Sequence, residues 1–358
     1  MEIGSEFHIS HNKILYSEVF IYKDKDILLN YGRTAIKFLL ENLQDLEHIR
    51  GVLLPNYLCE SIIQPLKEIN IPYEFYKIDK DFKVIINDME SKLKPGWAVF
   101  VLDYFNVRQE KELLNYINNI RDTNIIIEDI THSLFDIKES IGHFQIASIR
   151  KWLGLPSGAL IRDFYNGKMH NLVIPETSNI NSELVQKRFY AAILKSLYLK
   201  EQGNEHVKSE YLNLFNEAEM ILDKSNIEAS KIDSISKEII SHYNFESMLE
   251  VRKENYKILY TGLKELQAVE VINGRPDDNK VPLGFPIKVH DRDSLRNSLI
   301  QANIYPPIHW PLPEELLYEP TDAILNISRS ILTLPCDQRY TEKDMNRMIK
   351  VIKNHYWS

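Results

Sequence analysis

Two hydrophobic rhythms alternate along the first half of the chain. Behind Tyr31-Gly32-Arg33-Thr34, residues Ala35, Ile36, Phe38, Leu39, Leu40 and Leu43 recur at helical spacing. They predict a helix with one buried face. Gly51–Pro55 is a short apolar run closed by a proline, which predicts a buried strand. Residues 58–69 return to helical spacing, with Pro65 as a kink or an early-turn residue. Strand patterns follow at 73–78, 97–102, 124–129, 144–148 and 158–162, and a helix is predicted over 109–121.

Strands that alternate with helices of this length predict βαβ units and a mostly parallel sheet. In such sheets ligands gather at the carboxyl ends of the strands. That rule singles out four places: Pro55 to Cys59, Asp103 to Asn106, Asp129 to His132, and Ser148 to Lys151. Residues 181–265 are expected to be almost wholly helical, broken only at Gly203 and Gly262. Strand signals restart at 281–289, and helices are predicted at 292–303 and 341–354. The expected division is an N-terminal arm over 1–30, a large domain over 31–245 and a smaller α+β domain over 246–358.

Composition narrows the class. The chain has 358 residues, of which 44% are hydrophobic and 26% charged, an ordinary balance for a folded protein with a sizeable core. A net charge of −8, a pI near 5.8 and the lack of a basic run argue against nucleic-acid binding. Two cysteines, Cys59 and Cys336, make no disulfide framework and no zinc motif. Eleven histidines are scattered without metal-helix spacing, so no metal site is expected. Polar residues at the N-terminus and the absence of a long apolar run point to a cytoplasmic protein with no membrane partner.

The candidate chemistry lies at the strand ends. Lys151 follows an apolar strand in Ser148-Ile149-Arg150-Lys151. Arg150 beside it would favour the neutral, nucleophilic amine, as would partial burial. Asp129 ends the strand Ile125-Ile126-Ile127-Glu128-Asp129, while alternation turns Glu128 to the opposite side. Gly32-Arg33-Thr34 opens a helix, so free amides and the positive end of its dipole meet at one point. A surface lysine, a turn aspartate and a simple helix cap are the plainer readings of each taken singly; their order along the chain is what joins them.

Glu128-Asp129, Ser148-Ile149-Arg150-Lys151 and Gly32-Arg33-Thr34-Ala35, in this arrangement, resemble the pyridoxal 5′-phosphate (PLP) enzymes of fold type I. The chain is similar above all to the DegT/DnrJ/StrS group of sugar aminotransferases. The resemblance runs from about residue 30 to 165 and is weaker at 281–350, where His309-Trp310-Pro311-Leu312 and Leu334-Pro335-Cys336-Asp337 resemble the family's ending. It implies a three-layer α/β fold with a mostly parallel sheet and a homodimer. It implies that Lys151 holds PLP as a Schiff base and acts as acid/base. By the same resemblance Asp129 lies under the pyridine nitrogen and His132 near the ring's 3-hydroxyl. Ser148 and the amides at Gly32, Arg33 and Thr34 would contact the phosphate. Tyr57 or Cys59 falls where the family stacks an aromatic on the ring; if it is Cys59, then Tyr57 or His132 must cover that face. Two departures stand out: the serine-to-lysine run is short, and Asn106 replaces an expected glycine.

The implied activity is transfer of an amino group from an amino acid, probable donor glutamate, to a keto-sugar or other keto or aldehyde acceptor. Rival readings are a PLP-dependent lyase and a non-catalytic regulator or scaffold of the same fold. Three further residues are candidates for substrate contact. Arg150 and Arg339 carry planar forks suited to a carboxylate, but each also suits a structural ion pair. His309 lies on a loop that either faces substrate or packs as a turn. Phe7 and His8 either line the entrance to the site or belong to a docked strand.

Overall fold

A computed structural model of the chain describes all residues except 1, 10–21, 24–25, 108, 137–138, 177–178, 201–203, 225–226, 273 and 358. Part of the N-terminal arm, and the break expected at Gly203, therefore lie outside the described residues. In chain order, β1 (Ile3–Gly4) and β2 (Ile27–Leu29) precede α1 (Gly32–Glu47). Next come β3 (Gly51–Pro55), α2 (Glu60–Glu68), β4 (Tyr73–Tyr76), α3 (Ile86–Lys92) and β5 (Trp97–Leu102). They are followed by α4 (Lys111–Ile120), β6 (Ile126–Asp129), β7 (Phe144–Ser148) and β8 (Ala159–Asp163). Four helices follow: α5 (Asn179–Lys200), α6 (Glu205–Lys224), α7 (Ser234–Ser241) and α8 (Phe245–Leu263). The chain ends with β9 (Glu270–Val271), β10 (Phe285–Lys288), α9 (Arg292–Gln301), β11 (Ile304–Tyr305), α10 (Asp322–Ser330), β12 (Ile331–Leu334) and α11 (Glu342–Trp357).

The main sheet has the order β2-β8-β7-β6-β5-β3-β4. Its five strands from β7 to β4 run parallel, and only β8 opposes its neighbours. Strands β3, β5 and most of β6 and β7 are buried along their length, as expected where helices cover both faces. The carboxyl ends of β3, β5, β6 and β7 consequently share one edge of the sheet.

A second, antiparallel sheet of order β12-β10-β9 carries its own apolar core, built on Leu259, Phe285, Leu299, Leu332 and Met348 among others. Helix α8 joins the two cores. Phe245 and Met248 at its start pack with Trp152, whereas Tyr256, Leu259 and Leu263 pack in the second core. The N-terminal arm is also split between them. Ile3 of β1 pairs in parallel with Ile304 of β11 and is buried in the second core, while β2 edges the main sheet against β8.

Two expectations about the helical stretch need correction. The helical stretch is interrupted at 227–233, where the backbone around Lys231 turns to bridge Leu29 at the sheet edge before α7 begins. Gly262, expected as a break, lies inside α8; a Cβ there would collide with Ile349 of α11, so the glycine permits two helices to approach closely. Among the described residues no helix is long and apolar enough to cross a membrane.

Candidate active site

Residues that follow all four singled-out strand ends line a single cavity of about 570 Å³, a size suited to a cofactor with a small substrate. Cys59 contributes from beyond β3 and Tyr104 from beyond β5. Asp129 and His132 come from the end of β6, and Ser148, Arg150 and Lys151 from the end of β7.

Ser148 ends β7, and Ile149–Lys151 wind as one turn of 3₁₀ helix. With three residues per turn, adjacent side chains diverge by a third of a circle. Lys151 therefore enters the cavity, where its Nζ lies 5.8 Å from the centre of the Trp310 ring. Among the described residues it has no hydrogen bond and no ion pair. Arg150 is sent elsewhere: its guanidinium lies 3.6 Å from Glu219 and 5.5 Å from the Tyr31 ring. The expectation that Arg150 acts on the Lys151 amine is thus corrected. Burial lowers its pKa to about 10, Arg188 adds to the shift, and Glu219 opposes it.

Asp129 stands at the tip of β6, where burial raises its pKa and the charge of Lys151 partly offsets the rise. Thr131 holds it in place by donating its amide to Asp129 Oδ1 at 2.8 Å. Glu128 does point the other way; it is buried and accepts the amides of Ile141 and Gly142 at 3.0 and 2.8 Å. His132 is buried against Phe105, Trp310 and His309, with its ring nearly parallel to Trp310 at 5.2 Å. Burial holds it neutral, with Lys151 adding to the shift. Its Nδ1 accepts the amide of Phe105 at 3.4 Å, which leaves the proton on Nε2. The turn that delivers this amide has left-handed backbone at Phe105 and Asn106, with φ of 46° and 63°. Asparagine tolerates that region better than most residues, so it serves where glycine was expected.

The other end of the cavity suits an anion. Gly32 and Arg33 open α1, whose first amides have no partner within the helix. A Cβ on Gly32 would sit 3.4 Å from Ser148 Cβ, so glycine keeps that corner open. Arg150, half-buried, lines the same cavity and adds positive charge to it. Arg33 offers backbone alone, since its side chain is bound to Gln64, the Leu222 carbonyl and Asp223. Thr34 lies outside the cavity lining; its hydroxyl donates to Asn30 Oδ1 at 2.5 Å and to the Tyr31 carbonyl at 2.9 Å. The residues present thus fit PLP: a primary amine, a carboxylate at the tip of β6 and an amide-lined corner for phosphate, all lining one cavity.

Three other candidates are reassigned. Tyr57 does not line the cavity. Its hydroxyl donates to the His309 carbonyl and accepts the Trp310 amide, both at 2.7 Å, so it anchors the loop rather than covering a ring. Of the residues considered for that face, Cys59 and His132 line the cavity. Arg339 lines it too, but its fork is taken by Asp337 at 2.7 and 2.9 Å, so the ion-pair reading holds. His309 faces the cavity and bonds Thr333 Oγ1 at 2.9 Å; burial and the charge of Lys151 push it down to about 3.

Sequence reasoning missed four residues that build the site. Thr131 ties three of its elements, since besides holding Asp129 it accepts the Ser148 amide on Oγ1 at 3.1 Å and the Trp152 indole N–H on its carbonyl at 2.8 Å. Arg252, fully buried in α8, donates to the carbonyls of Trp152, Pro282 and Leu283 and to Gln338. Gln338 also donates to the Trp152 carbonyl at 2.9 Å. Trp310 forms the wall opposite Lys151. Two of them carried a signal: Thr131, as the residue between a strand-end acid and a histidine, and Trp310, within the His309–Leu312 motif.

This architecture is shared with solved aminotransferase structures. Residues 240–353 match the sequence model of the DegT/DnrJ/EryC1/StrS aminotransferase family. By sequence, no curated protein matches the chain. Among solved structures, Spr1654 from Streptococcus pneumoniae in its PLP form is similar, with a TM-score of 0.63 and 13% identity over 92% of this chain and 86% of that one. The sugar aminotransferase CalS13 from Micromonospora echinospora gives 0.61 and 14%, covering 92% and 87%. A DegT DnrJ EryC1 StrS aminotransferase from Brucella abortus gives 0.60 and 16%, covering 93% and 86%. At these identities the likeness establishes the fold.

Proposed function

We propose that this protein is a PLP-dependent aminotransferase that moves an amino group from an amino acid to a keto or aldehyde acceptor, with a keto-sugar as the acceptor class. The observation that carries the reading is the Lys151 amine, unpaired within the cavity and set among Asp129, His132 and Trp310. PLP, when bound, supplies an electron sink through its protonated ring. Lys151 would attach it through its amine and is the group placed to move a proton as general acid/base. Asp129, as a carboxylate, would hold the proton of the ring nitrogen. The Nε2–H of His132 would serve as a donor to the ring. Ser148 and the amides of Gly32 and Arg33 would hold the phosphate, with Arg150 adding charge. Trp310 and His309 form the cavity wall beside Lys151.

The family match over 240–353, the likeness to the PLP and PMP forms of Spr1654 and the likeness to the sugar aminotransferase CalS13 support this reading. Glutamate as donor, a homodimer and a cytoplasmic location belong to the same proposal. The test is an absorbance spectrum of wild type and Lys151→Ala with PLP, before and after borohydride. The expected result is a band near roughly 410–430 nm that borohydride fixes onto Lys151 in the wild type alone. A wild type with neither band nor adduct would sink the assignment.

A further inference from the structure

Five residues lining the cavity are lysine or arginine: Arg33, Arg150, Lys151, Arg296 and Arg339. Three of them are answered by carboxylates. Arg33 meets Asp223 at 2.9 Å, Arg150 meets Glu219 at 3.6 Å, and Arg339 is gripped by Asp337. Lys151 already has its role. Arg296 remains, and it has no carboxylate partner among the described residues.

Its setting is ordered. Arg296 stands in the middle of α9, between Leu295 and Leu299, which are both fully buried and fix the helix on the second core. Its Nε donates to the Pro306 carbonyl at 3.2 Å, which fixes one edge of the guanidinium. The other N–H groups have no protein acceptor among the described residues. Pro306 begins the loop that ends at Trp310, the ring beside Lys151. Four residue steps span at most roughly 14 Å. A guanidinium held this way presents a planar, two-toothed donor to an oxyanion.

Resting on the function proposed above, we propose that Arg296 is the oxyanion anchor of substrate binding. It would receive a carboxylate or a phosphate of the molecule that reacts at Lys151. The carboxylate would come from the amino donor and the phosphate from a nucleotide-linked acceptor; the two share one chemistry at the guanidinium.

The test uses PLP-loaded wild type, Arg296→Gln and Arg296→Lys. Each is titrated with L-glutamate and with 4-aminobutanoate, which lacks the α-carboxylate, and read by the shift of the cofactor band. UDP binding is measured by calorimetry. Arg296→Gln is expected to need roughly 10- to 100-fold more of one anion, with partial recovery in Arg296→Lys. A loss for glutamate that 4-aminobutanoate does not share assigns the carboxylate; a loss for UDP alone assigns the phosphate. An unchanged cofactor band in Arg296→Gln shows that the site is intact. Wild-type affinity for both glutamate and UDP in that variant overturns the proposal, as does a wild type that binds neither. A wild type without the band overturns the functional reading itself.

Discussion

His132 and His309 face the same cavity as Lys151, and burial keeps both neutral. Their native pKa values lie below the ordinary value of about 6.5 that applies once the chain unfolds. The unfolded chain therefore takes up protons as pH falls below 6.5, while the native protein does not. Stability is fully present above that pH and declines as pH drops toward 3. Each histidine removes roughly 1 kcal/mol per pH unit over that window. Urea unfolding at pH 7 and pH 5 should show the decline, and His309→Gln should flatten it. An equal slope in the variant would remove His309 from this account.

At the scale of elements, the site is a junction where three backbone ends are tied together. The tips of β6 and β7 meet through Thr131, and the turn after Lys151 is fastened to α8 by Arg252. The buried guanidinium has carbonyl and amide acceptors rather than a carboxylate, and it lies 4.6 Å from the Trp152 ring. Replacing it with methionine keeps much of the volume but strands the carbonyls of Pro282 and Leu283. Arg252→Met should cost on the order of 3 kcal/mol in chemical denaturation. The variant should also lose Lys151–cofactor band intensity at limiting PLP. Denaturation indistinguishable from wild type would show that the staple is not needed.

For the whole molecule, the cavity is closed from both cores and from the chain's beginning. Gly4 to Phe7 line it, and their backbone is held by Lys195 and Arg339, which both donate to the Glu6 carbonyl. Within the arm, Ile3–Gly4 is the segment that pairs as a strand and Phe7 lines the cavity, whereas His8 lies in neither. Ile3 is the apolar residue that seats the arm, fully buried in the second core. Ile3→Ala should lower stability by about 2–4 kcal/mol, the cost of a buried cavity. Thermal unfolding reads that loss, and substrate KM should rise with the cofactor band unchanged. If KM stays at the wild-type value, the arm is packing alone.

Local pattern was enough for the main sheet and most of its helices, because a fully buried strand must be apolar along its whole length and an amphipathic helix must repeat its apolar face. It also placed Asp129, Ser148 and Lys151 at strand ends, where a parallel sheet gathers ligands. The short pieces β1, β9, β11 and α10 left no such trace, since two to nine residues carry too little periodicity and depend on distant partners. Pairing was decided only in three dimensions. Arg150 and Arg339 read alike in sequence, each suited to a substrate carboxylate or to a structural ion pair; folding brings Glu219 to the first, while Asp337, two residues away, grips the second. Tyr57 was turned from a ring cover into a loop anchor by a peptide 252 positions away. Arg252, Thr131 and Arg296 acquire their meaning from what lies across the fold: the partners that fill a buried group's hydrogen bonds, or fail to, are set by tertiary contact.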